Sequence, residues 1–281
     1  MTIRLGENNY GKARVRLLRV TRQEGRHDIH ELTIGIRFEG DFETAHTIGD
    51  NSKILPTDTM KNTVYALARK LGMASTETFC LQLVDHFLAN NPQVSKVTVE
   101  ASETIWARLP FGGKPHPHTF TQTGGEKRTA VVSGTRQEKT VRAGIEGLAV
   151  LKTTQSAFEG FLKDEYTTLK EDRHRILSTL IRANWTYRDA EAEFSATWHA
   201  IRQMLLETFA EHDSLSLQHT LYAMGEAVLN NFESVREIHL SLPNKHYNLV
   251  NLSPFQMDNP GEIFLPTDEP HGLIEATLRK E

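Results

Sequence analysis

The sequence predicts an α+β fold in which two similar halves each combine antiparallel strands with two helices on one face of a sheet. Apolar and polar residues alternate over residues 32–38 and 97–101, a period of two that is typical of half-buried strands. Between these strands, apolar residues recur at helical spacing over residues 60–71 and 79–87. The order ββααββ then occurs a second time, which predicts a tandem repeat.

Each element of the first half has a local signal. The first helix begins at Thr57, because the preceding proline and the following aspartate both favour a helix start. The second helix begins after the Ser75-Thr76 pair, whose hydroxyl groups suit an N-cap. The strands expected in this half are residues 15–20, 32–38, 97–101 and a segment between 117 and 133 that Gly124-Gly125 interrupts.

The second half repeats this order. Residues 198–209 present one helical stripe of apolar side chains, and residues 217–228 present the next. The strands expected around these helices lie near residues 140–152, 180–190, 238–242 and 272–279. We therefore divide the chain into a first repeat, residues 1–137, and a second repeat, residues 138–281. Because the helices cover one sheet face only, the other face and the strand edges stay open, and we expect an oligomer.

Composition excludes several classes of protein. The 281 residues are 38% hydrophobic and 24% charged, which is typical of a globular chain. A net charge of −4 argues against a dedicated nucleic-acid binder. The single cysteine, Cys80, cannot form an internal disulfide or a cysteine-based zinc site, which favours a reducing compartment. The first ten residues lack the apolar run of a signal peptide and no window resembles a membrane helix, so we expect a cytoplasmic protein.

Six polar segments contain most of the residues suited to chemistry. They are residues 9–12, 56–63, 113–118, 158–169, 175–179 and 241–247. Taken in order, these segments resemble the urate oxidases (uricases), and the resemblance runs from Tyr10 to about Leu273. Because it covers nearly the whole chain, it is far more specific than a single short motif.

The resemblance implies a fold, an assembly and a reaction. The fold is the tunnelling fold, in which tandem ββααββ repeats form one subunit of a homotetramer with a central tunnel. The reaction is the oxidation of urate by O2 to 5-hydroxyisourate and hydrogen peroxide in purine breakdown, with no metal and no organic cofactor. The implied partners are therefore urate, O2 and further copies of the chain, with active sites at the subunit interfaces.

The residues that would hold the purine suit a flat, electron-rich anion. Arg175 offers a planar fork of donors, Gln218 both donates and accepts hydrogen bonds, and Phe158 can stack on the ring. The resemblance also implies that the backbone N–H of Leu217 binds the purine and that Asn244 holds O2 or water above it. The full substrate-binding set that it implies is Thr57, Asp58, Phe158, Arg175, Leu217, Gln218 and Asn244.

The catalytic set that the resemblance implies is a proton relay of Lys12, Thr57 and His246, with Asp58 orienting the Thr57 segment. Burial can lower a lysine pKa by several units, and a histidine exchanges protons near neutral pH. Helix N–H groups attract anions, so the helix at Thr57 and the helix at Leu217, expected to be equivalent in the two repeats, could both face the ligand. We expect Lys12, Thr57 and Asp58 to come from one subunit and the remaining site residues to come from its neighbour.

Simpler explanations stay open beside these roles. Taken alone, Lys12 suits a solvated lysine, Thr57 a helix cap, Phe158 a core residue and Arg175 a surface arginine. His116 and His118 could chelate a metal, but partner carboxylates or thiolates are not apparent in the sequence, so we expect a structural or interface role and no metal.

Two other functions stay open. One is a zinc-dependent purine or pterin enzyme of the same fold, and the other is a purine-binding or scaffold protein without catalysis. The chain ends in Leu278-Arg279-Lys280-Glu281 instead of the peroxisomal Ser-Lys-Leu address of eukaryotic uricases, which predicts a bacterial cytoplasmic enzyme.

Overall fold

The fold is described from a computed structural model that covers residues 3–122 and 124–281. The strands are β1 (Tyr10–Gln23), β2 (Arg26–Gly40), β3 (Val94–Thr104), β4 (Ala107–Phe111), β5 (Lys114–Thr121), β6 (Lys127–Gly134), β7 (Lys139–Lys152), β8 (Leu177–Tyr187), β9 (Val235–Leu249) and β10 (Phe264–Arg279). The helices are α1 (Glu43–Thr47), α2 (Thr57–Lys70), α3 (Thr76–Asn90), α4 (Phe194–Glu211) and α5 (Leu217–Asn231), with a 3-10 turn at Ser253–Phe255. The α+β class with antiparallel strands is thus confirmed. Within these two ranges, none of the helices is long and apolar enough to cross a membrane.

The chain forms two compact units, each built from two segments. The first unit contains the chain up to Ile145 together with Trp185–His199. The second unit contains Glu146–Asn184 and Ala200–Glu281. The predicted boundary between residues 137 and 138 separates two copies of a repeated order of elements. The two compact units do not test that boundary, and it stays a prediction.

The sheet of the first unit runs from β1 through β2 and β3 to β6, with antiparallel pairing throughout. A two-residue turn joins β1 to β2, and its second residue, Gly25, has a φ of 70°, a conformation that favours glycine. Along β2 every second side chain is at most 4% exposed, and these residues are Leu32, Ile34, Ile36 and Phe38. The alternation read from the sequence therefore reports a strand with one buried face.

Two helices of the first unit, α2 and α3, pack on this buried face. α2 packs against β1, and α3 packs against β3 and β6. Their fully buried side chains include Met60 and Val64 of α2 and Phe79 and Leu83 of α3. The hydroxyl of Ser75 accepts a hydrogen bond from the backbone N–H of Thr78 at 3.0 Å, which confirms the predicted cap of α3.

In the second unit, β9 pairs antiparallel with β10, and α5 packs on both strands. Leu240 and Leu242 of β9 are fully buried. Because side chains alternate along a strand, Asn244 and His246 lie on the same face as these two leucines. Asn244 is half-buried and His246 is exposed. One face of β9 therefore carries core residues first and polar residues further along.

The predicted equivalence of the helices at Thr57 and Leu217 is wrong. The order of elements matches α2 with α4 and α3 with α5. α3 and α5 also share a length of 15 residues and a serine N-cap, Ser75 and Ser216. Both α2 and α5 begin beside candidate site residues, but they occupy different places in the repeat.

The segment between residues 117 and 133, expected to be one interrupted strand, contains parts of two strands. β5 pairs with β4 in a separate two-stranded sheet, whereas β6 pairs with β3. Gly124 and Gly125 lie between β5 and β6, so the glycines mark the end of one sheet and the approach to another.

Candidate active site

The second unit contains a cavity of about 330 Å³ that collects most of the expected ligand-binding side chains. The site residues predicted from the sequence that line it are Phe158, Arg175, Leu217, Gln218, Asn244 and His246. Asp172, Lys245 and Ile274, which sequence reasoning missed, also line it. A volume near the lower end of the range for small-molecule sites suits one compact ring system.

Phe158 and Arg175 are brought together by backbone hydrogen bonds within the irregular segment between β7 and β8. The N–H of Phe158 donates to the carbonyl of Asp172 at 2.7 Å, and the N–H of Arg175 donates to the carbonyl of Ser156 at 3.1 Å. As a result, the central guanidinium carbon of Arg175 lies 5.3 Å from the centre of the Phe158 ring. The cavity therefore receives an aromatic ring and a cation from one small segment.

The ring of Phe158 is further fixed by a neighbour that sequence reasoning missed as part of the site. Phe161 stacks on it with ring centres 5.0 Å apart and planes 11° apart. The sequence signal was the spacing of two phenylalanines three residues apart in an otherwise polar segment. Stacking of this kind restricts the rotation of Phe158 and so preserves its position at the cavity.

The Arg175 side chain is buried enough for its surroundings to change its pKa. Burial lowers the pKa of Arg175, and the nearby charge of Asp172 opposes that shift. An arginine stays charged in either case, because its ordinary pKa is far above neutrality. Within the described residues, the buried Nε of Arg175 has no hydrogen-bond partner. A charged donor group without a protein acceptor is suited to bind an anionic ligand.

The start of α5 supplies backbone donors to the same cavity. Ser216 caps the helix, and its hydroxyl accepts a hydrogen bond from the N–H of His219 at 3.1 Å. The N–H groups at Leu217 and Gln218 precede the first intrahelical donors and so have no partner inside the helix. The Leu217 side chain is only 1% exposed, so its contribution to a ligand comes from the backbone, whereas Gln218 is exposed.

The β9 residues Asn244 and His246 lie next to an irregularity in β10. The register pairs Asn244 with Gly272 and His246 with Thr267, and the four residues between those partners have no counterpart on β9. Lys245 also lines the cavity, but its ammonium group donates to Asp268 at 2.7 Å. The charge of Lys245 is therefore balanced within the protein.

The remaining candidates, Lys12, Thr57 and Asp58, lie in the first unit. Lys12 is opposite Ile36 in the register of β1 and β2, directly before a bulge in β1. Thr57 is the first residue of α2, and Asp58 follows it. A hydrogen bond and the charge of Lys61 hold the pKa of Asp58 below its ordinary value, with a smaller effect from the charge of Lys12. The structure thus brings Lys12 close enough to the start of α2 to interact with Asp58.

Tyr10 connects the two segments that carry these residues. Its hydroxyl accepts a hydrogen bond from the N–H of Leu55 at 2.9 Å, just before α2. Its ring makes edge contacts with Phe38 and Phe42, with ring centres 5.8 and 4.8 Å apart. Tyr10 therefore anchors the approach to Thr57 against the strand that carries Lys12. The sequence placed Tyr10 in a polar segment but gave no sign of this contact.

The histidine pair of β5 lies in the first unit as well. The rings of His116 and His118 have centres 4.6 Å apart, and His118 is 5.8 Å from His27. Among the described residues, no group of three or more His, Cys, Asp or Glu side chains is arranged to hold a metal ion. A structural or interface role for His116 and His118 stays a prediction.

Comparison with known proteins gives a consistent result. A family model described as Uricase matches residues 8–133 and 141–275. The uricase of Arthrobacter globiformis is 48% identical over 277 residues, which cover 99% of this chain and 90% of that protein. The uricase of Aspergillus flavus is 38% identical over 287 residues, covering 96% and 94% of the two chains.

Solved structures agree with these matches. The crystal structure of the Arthrobacter globiformis uricase has a TM-score of 0.95 at 47% identity and covers 100% of this chain and 96% of that chain. The urate oxidase of Bacillus sp. TB-90, at 24% identity, has a TM-score of 0.86 over 97% of this chain and 100% of that chain, which shows the shared tunnelling fold. The resemblance found in the polar segments is confirmed, and the chain belongs to the uricase family of oxidoreductases.

Proposed function

We propose that this protein oxidises urate with O2 to 5-hydroxyisourate and hydrogen peroxide in purine breakdown, without a metal or an organic cofactor. Family membership supports the reaction class. The observation that carries the proposal is the cavity where the Arg175 guanidinium, the Phe158 ring and the open N-terminus of α5 meet. These groups match the charge, the flat face and the polar edges of urate.

The binding mode follows from the donors and acceptors at the cavity. The Arg175 guanidinium forms paired hydrogen bonds to one edge of the purine, where negative charge is shared between a carbonyl oxygen and a ring nitrogen. The N–H groups at the start of α5 and the side-chain amide of Gln218 bind another edge. Phe158 stacks on the ring, and Asn244 holds O2 or water on the opposite side of the ring plane.

The chemical steps use the relay of Lys12, Thr57 and His246, with Asp58 orienting the Thr57 segment. The relay removes a proton from bound urate, and the resulting anion transfers one electron to O2. Recombination of the two radicals gives a urate hydroperoxide. Water attack at that carbon and loss of hydrogen peroxide give 5-hydroxyisourate. Overall, urate loses two electrons to O2, and water supplies the new hydroxyl oxygen.

The assembly that we propose is a homotetramer with active sites at subunit interfaces. One subunit contributes Lys12, Thr57 and Asp58, and its neighbour contributes the residues around the cavity. Leucines that are more than half exposed on β1 and β10 support association, and these are Leu18, Leu265 and Leu273. We also propose a cytoplasmic location, because the single cysteine, Cys80, is buried as a free thiol.

The test is to mix chelator-treated protein with urate in air. Loss of the ultraviolet absorbance of urate, O2 uptake and peroxide release should then be equimolar. Urate that is bound but not consumed would favour the purine-binding protein. Activity that disappears with the chelator and returns with zinc would favour a metal-dependent enzyme of the same fold.

A further inference from the structure

Ser214 lies where the segment that carries Phe158 meets the approach to α5. Its side chain is fully buried. Its backbone N–H donates to the carbonyl of Gln155 at 2.9 Å, and its carbonyl accepts from the N–H of Ala157 at 2.7 Å. Ser214 is therefore joined by its backbone to the residue directly before Phe158.

The hydroxyl of Ser214 joins the same residue to α5. The hydroxyl of Thr220, on the first turn of α5, donates to Ser214 Oγ at 2.7 Å, and Ser214 Oγ donates to the carbonyl of Ser216 at 3.0 Å. The same carbonyl lies 3.3 Å from Thr220 Oγ1 and is the longer of the two acceptors of the Thr220 hydroxyl. Nδ1 of His212 lies 3.3 Å from Thr220 Oγ1, within reach to donate to it. Thr220, like Ser214, is fully buried. The hydroxyls form a directional chain, and such chains strengthen each member and restrict its geometry.

This chain connects the two sources of ligand-binding groups. On one side, the segment paired with Ser214 presents Phe158 and, through Ser156, Arg175. On the other side, Thr220 belongs to the helix that presents the N–H groups at Leu217 and Gln218. Neither Ser214 nor Thr220 lines the cavity. Any effect of these hydroxyls on a ligand must therefore act through the spacing of those two elements.

We propose that Ser214 and Thr220 are positioning residues, whose hydroxyl chain sets the distance between the Phe158–Arg175 segment and the start of α5. The inference rests on the proposed function, because it concerns how the urate site is held in shape. Binding groups on two elements act together only if both reach the ligand at once, and small misplacements are costly. Loss of the chain should therefore weaken urate binding before it affects the chemical step.

The experiment compares Thr220→Val, Thr220→Ser and the wild-type protein. Thr220→Val removes the hydroxyl with little change in volume, whereas Thr220→Ser retains it. The urate Kd is measured by calorimetric titration without O2, and KM and kcat are measured in air. We expect Kd and KM to rise about tenfold in Thr220→Val, with a smaller change in kcat and recovery in Thr220→Ser.

Thr135→Val is the matched control. The Thr135 hydroxyl accepts from the N–H groups of Gln137 and Glu138 in a turn of the first unit, and Thr135 is not a lining residue of the cavity. This variant should leave Kd, KM and kcat unchanged. A merely structural role for Thr220 would lower the active fraction, and so kcat, while KM and Kd stayed at wild-type values, and that result would overturn the inference.

Ser214→Ala covers the case in which Thr220→Val does not fold, because it interrupts the same chain and keeps the backbone pairing of Ser214. A Kd equal to that of the wild type in folded Ser214→Ala would also overturn the inference. Failure of the proposed function has a separate signature, since the wild-type protein would then show no urate turnover. A Kd increase in the variants would support the positioning role even in that case.

Discussion

Arg175 and Arg173 lie two residues apart, but their guanidinium groups differ in burial and in hydrogen-bond partners. Arg173, two residues earlier, is exposed and makes two hydrogen bonds to the carboxylate of Glu159, at 2.8 and 2.9 Å. The Nε of Arg175 is buried, and within the described part of the chain it has no acceptor. A buried donor of this kind is costly unless a ligand supplies the acceptor. This contrast makes the two arginines a matched pair for mutation.

The Arg175→Gln variant should bind urate about a hundredfold more weakly than the wild type, a loss of about 3 kcal/mol for paired hydrogen bonds from a charged donor. The measurement is the urate Kd without O2. Arg173→Gln, the control, removes an exposed ion pair and should leave Kd unchanged. Equal Kd values for Arg175→Gln and the wild type would exclude Arg175 as the purine-binding cation.

Lys12 is distinguished from Lys61 by a second pair of variants. Both lysines act on Asp58, but Lys61 forms the direct ion pair with it. If Lys12 belongs to the relay, Lys12→Met should reduce kcat by about a hundredfold or more while the urate Kd measured without O2 stays unchanged. Lys61→Met should retain kcat within about twofold. Full turnover in Lys12→Met would remove Lys12 from the relay.

The sequence predicted the identity of these residues better than their surroundings. Arg175 was found because the segment that it begins resembles a family pattern. Its burial, and its position beside Phe158, depend on backbone hydrogen bonds with Ser156 and Asp172 in a segment without regular structure. Such bonds leave no periodic signal. The contacts of Phe161 and Ser214 with this segment were missed for the same physical reason.

At the scale of elements, an ion pair joins α3 to β6. Glu77 is fully buried, and Arg128 is 5% exposed. Their side chains form a salt bridge, and Arg128 also donates to the hydroxyl of Ser195 at 3.2 Å and lies 5.4 Å from the Trp198 ring centre. The apolar pattern that predicts α3 covers residues 79–87 and does not include Glu77. Only the packing of α3 shows the glutamate to be internal.

Glu77→Gln should lower the free energy of unfolding by about 3–5 kcal/mol, because it removes the direct ion-pair partner of the buried Arg128 guanidinium. Urea unfolding followed by circular dichroism measures the change. Glu146→Gln is the control, since Glu146 pairs with Arg182 at the surface, and exposed pairs contribute about 1 kcal/mol or less. A loss in Glu77→Gln no larger than in the control would show that Arg128 finds other partners.

A second carboxylate, the half-buried Glu103, makes the stability of the first unit depend on pH. Burial alone raises the pKa of Glu103, but hydrogen bonds from His30 and Thr76, with the charge of Arg128, hold that pKa below its ordinary value of 4.5. In acid the unfolded chain therefore binds a proton at Glu103 before the folded chain does. The ionised Glu103 carboxylate therefore adds to the free energy of unfolding above pH 4.5, and this contribution is lost as pH falls below that value.

Glu103→Gln should remove this part of the acid sensitivity. Its melting temperature should be below that of the wild type near neutral pH, and the difference should shrink as pH falls below about 4.5. Thermal melting at a series of pH values from about 6 to about 3.5 measures it. A difference that stays constant over this range would mean that the Glu103 carboxyl has the same pKa in the folded and unfolded chains.

At the scale of the whole molecule, the repeated ββααββ order was readable because the periods of two and of 3.6 residues alternate clearly along the chain. The β4–β5 hairpin was not readable. Its strands contain Pro110, Pro115 and Pro117, and proline interrupts the alternation that identifies a strand. The matching of α2 with α4 also required the full order of elements, because Thr57 and Leu217 share only the chemistry of a helix start.

The proposed assembly divides each active site between subunits, and this can be tested with two inactive variants. Lys12→Met damages one half of the site, and Arg175→Gln damages the other. If the halves come from different subunits, a mixed oligomer contains some sites in which both halves are intact. If one subunit supplied both halves, every site would carry one of the defects.

Co-expression of Lys12→Met and Arg175→Gln with different affinity tags, followed by purification through both tags, should therefore restore urate oxidation. With equal amounts and random assembly, about one quarter of the wild-type activity is expected, because each half-site is intact in half of the subunits. Lys12→Met co-expressed with a second tagged copy of Lys12→Met is the control and should stay inactive. If the mixed oligomers have the mass of four chains and lack activity, each active site is formed within one subunit.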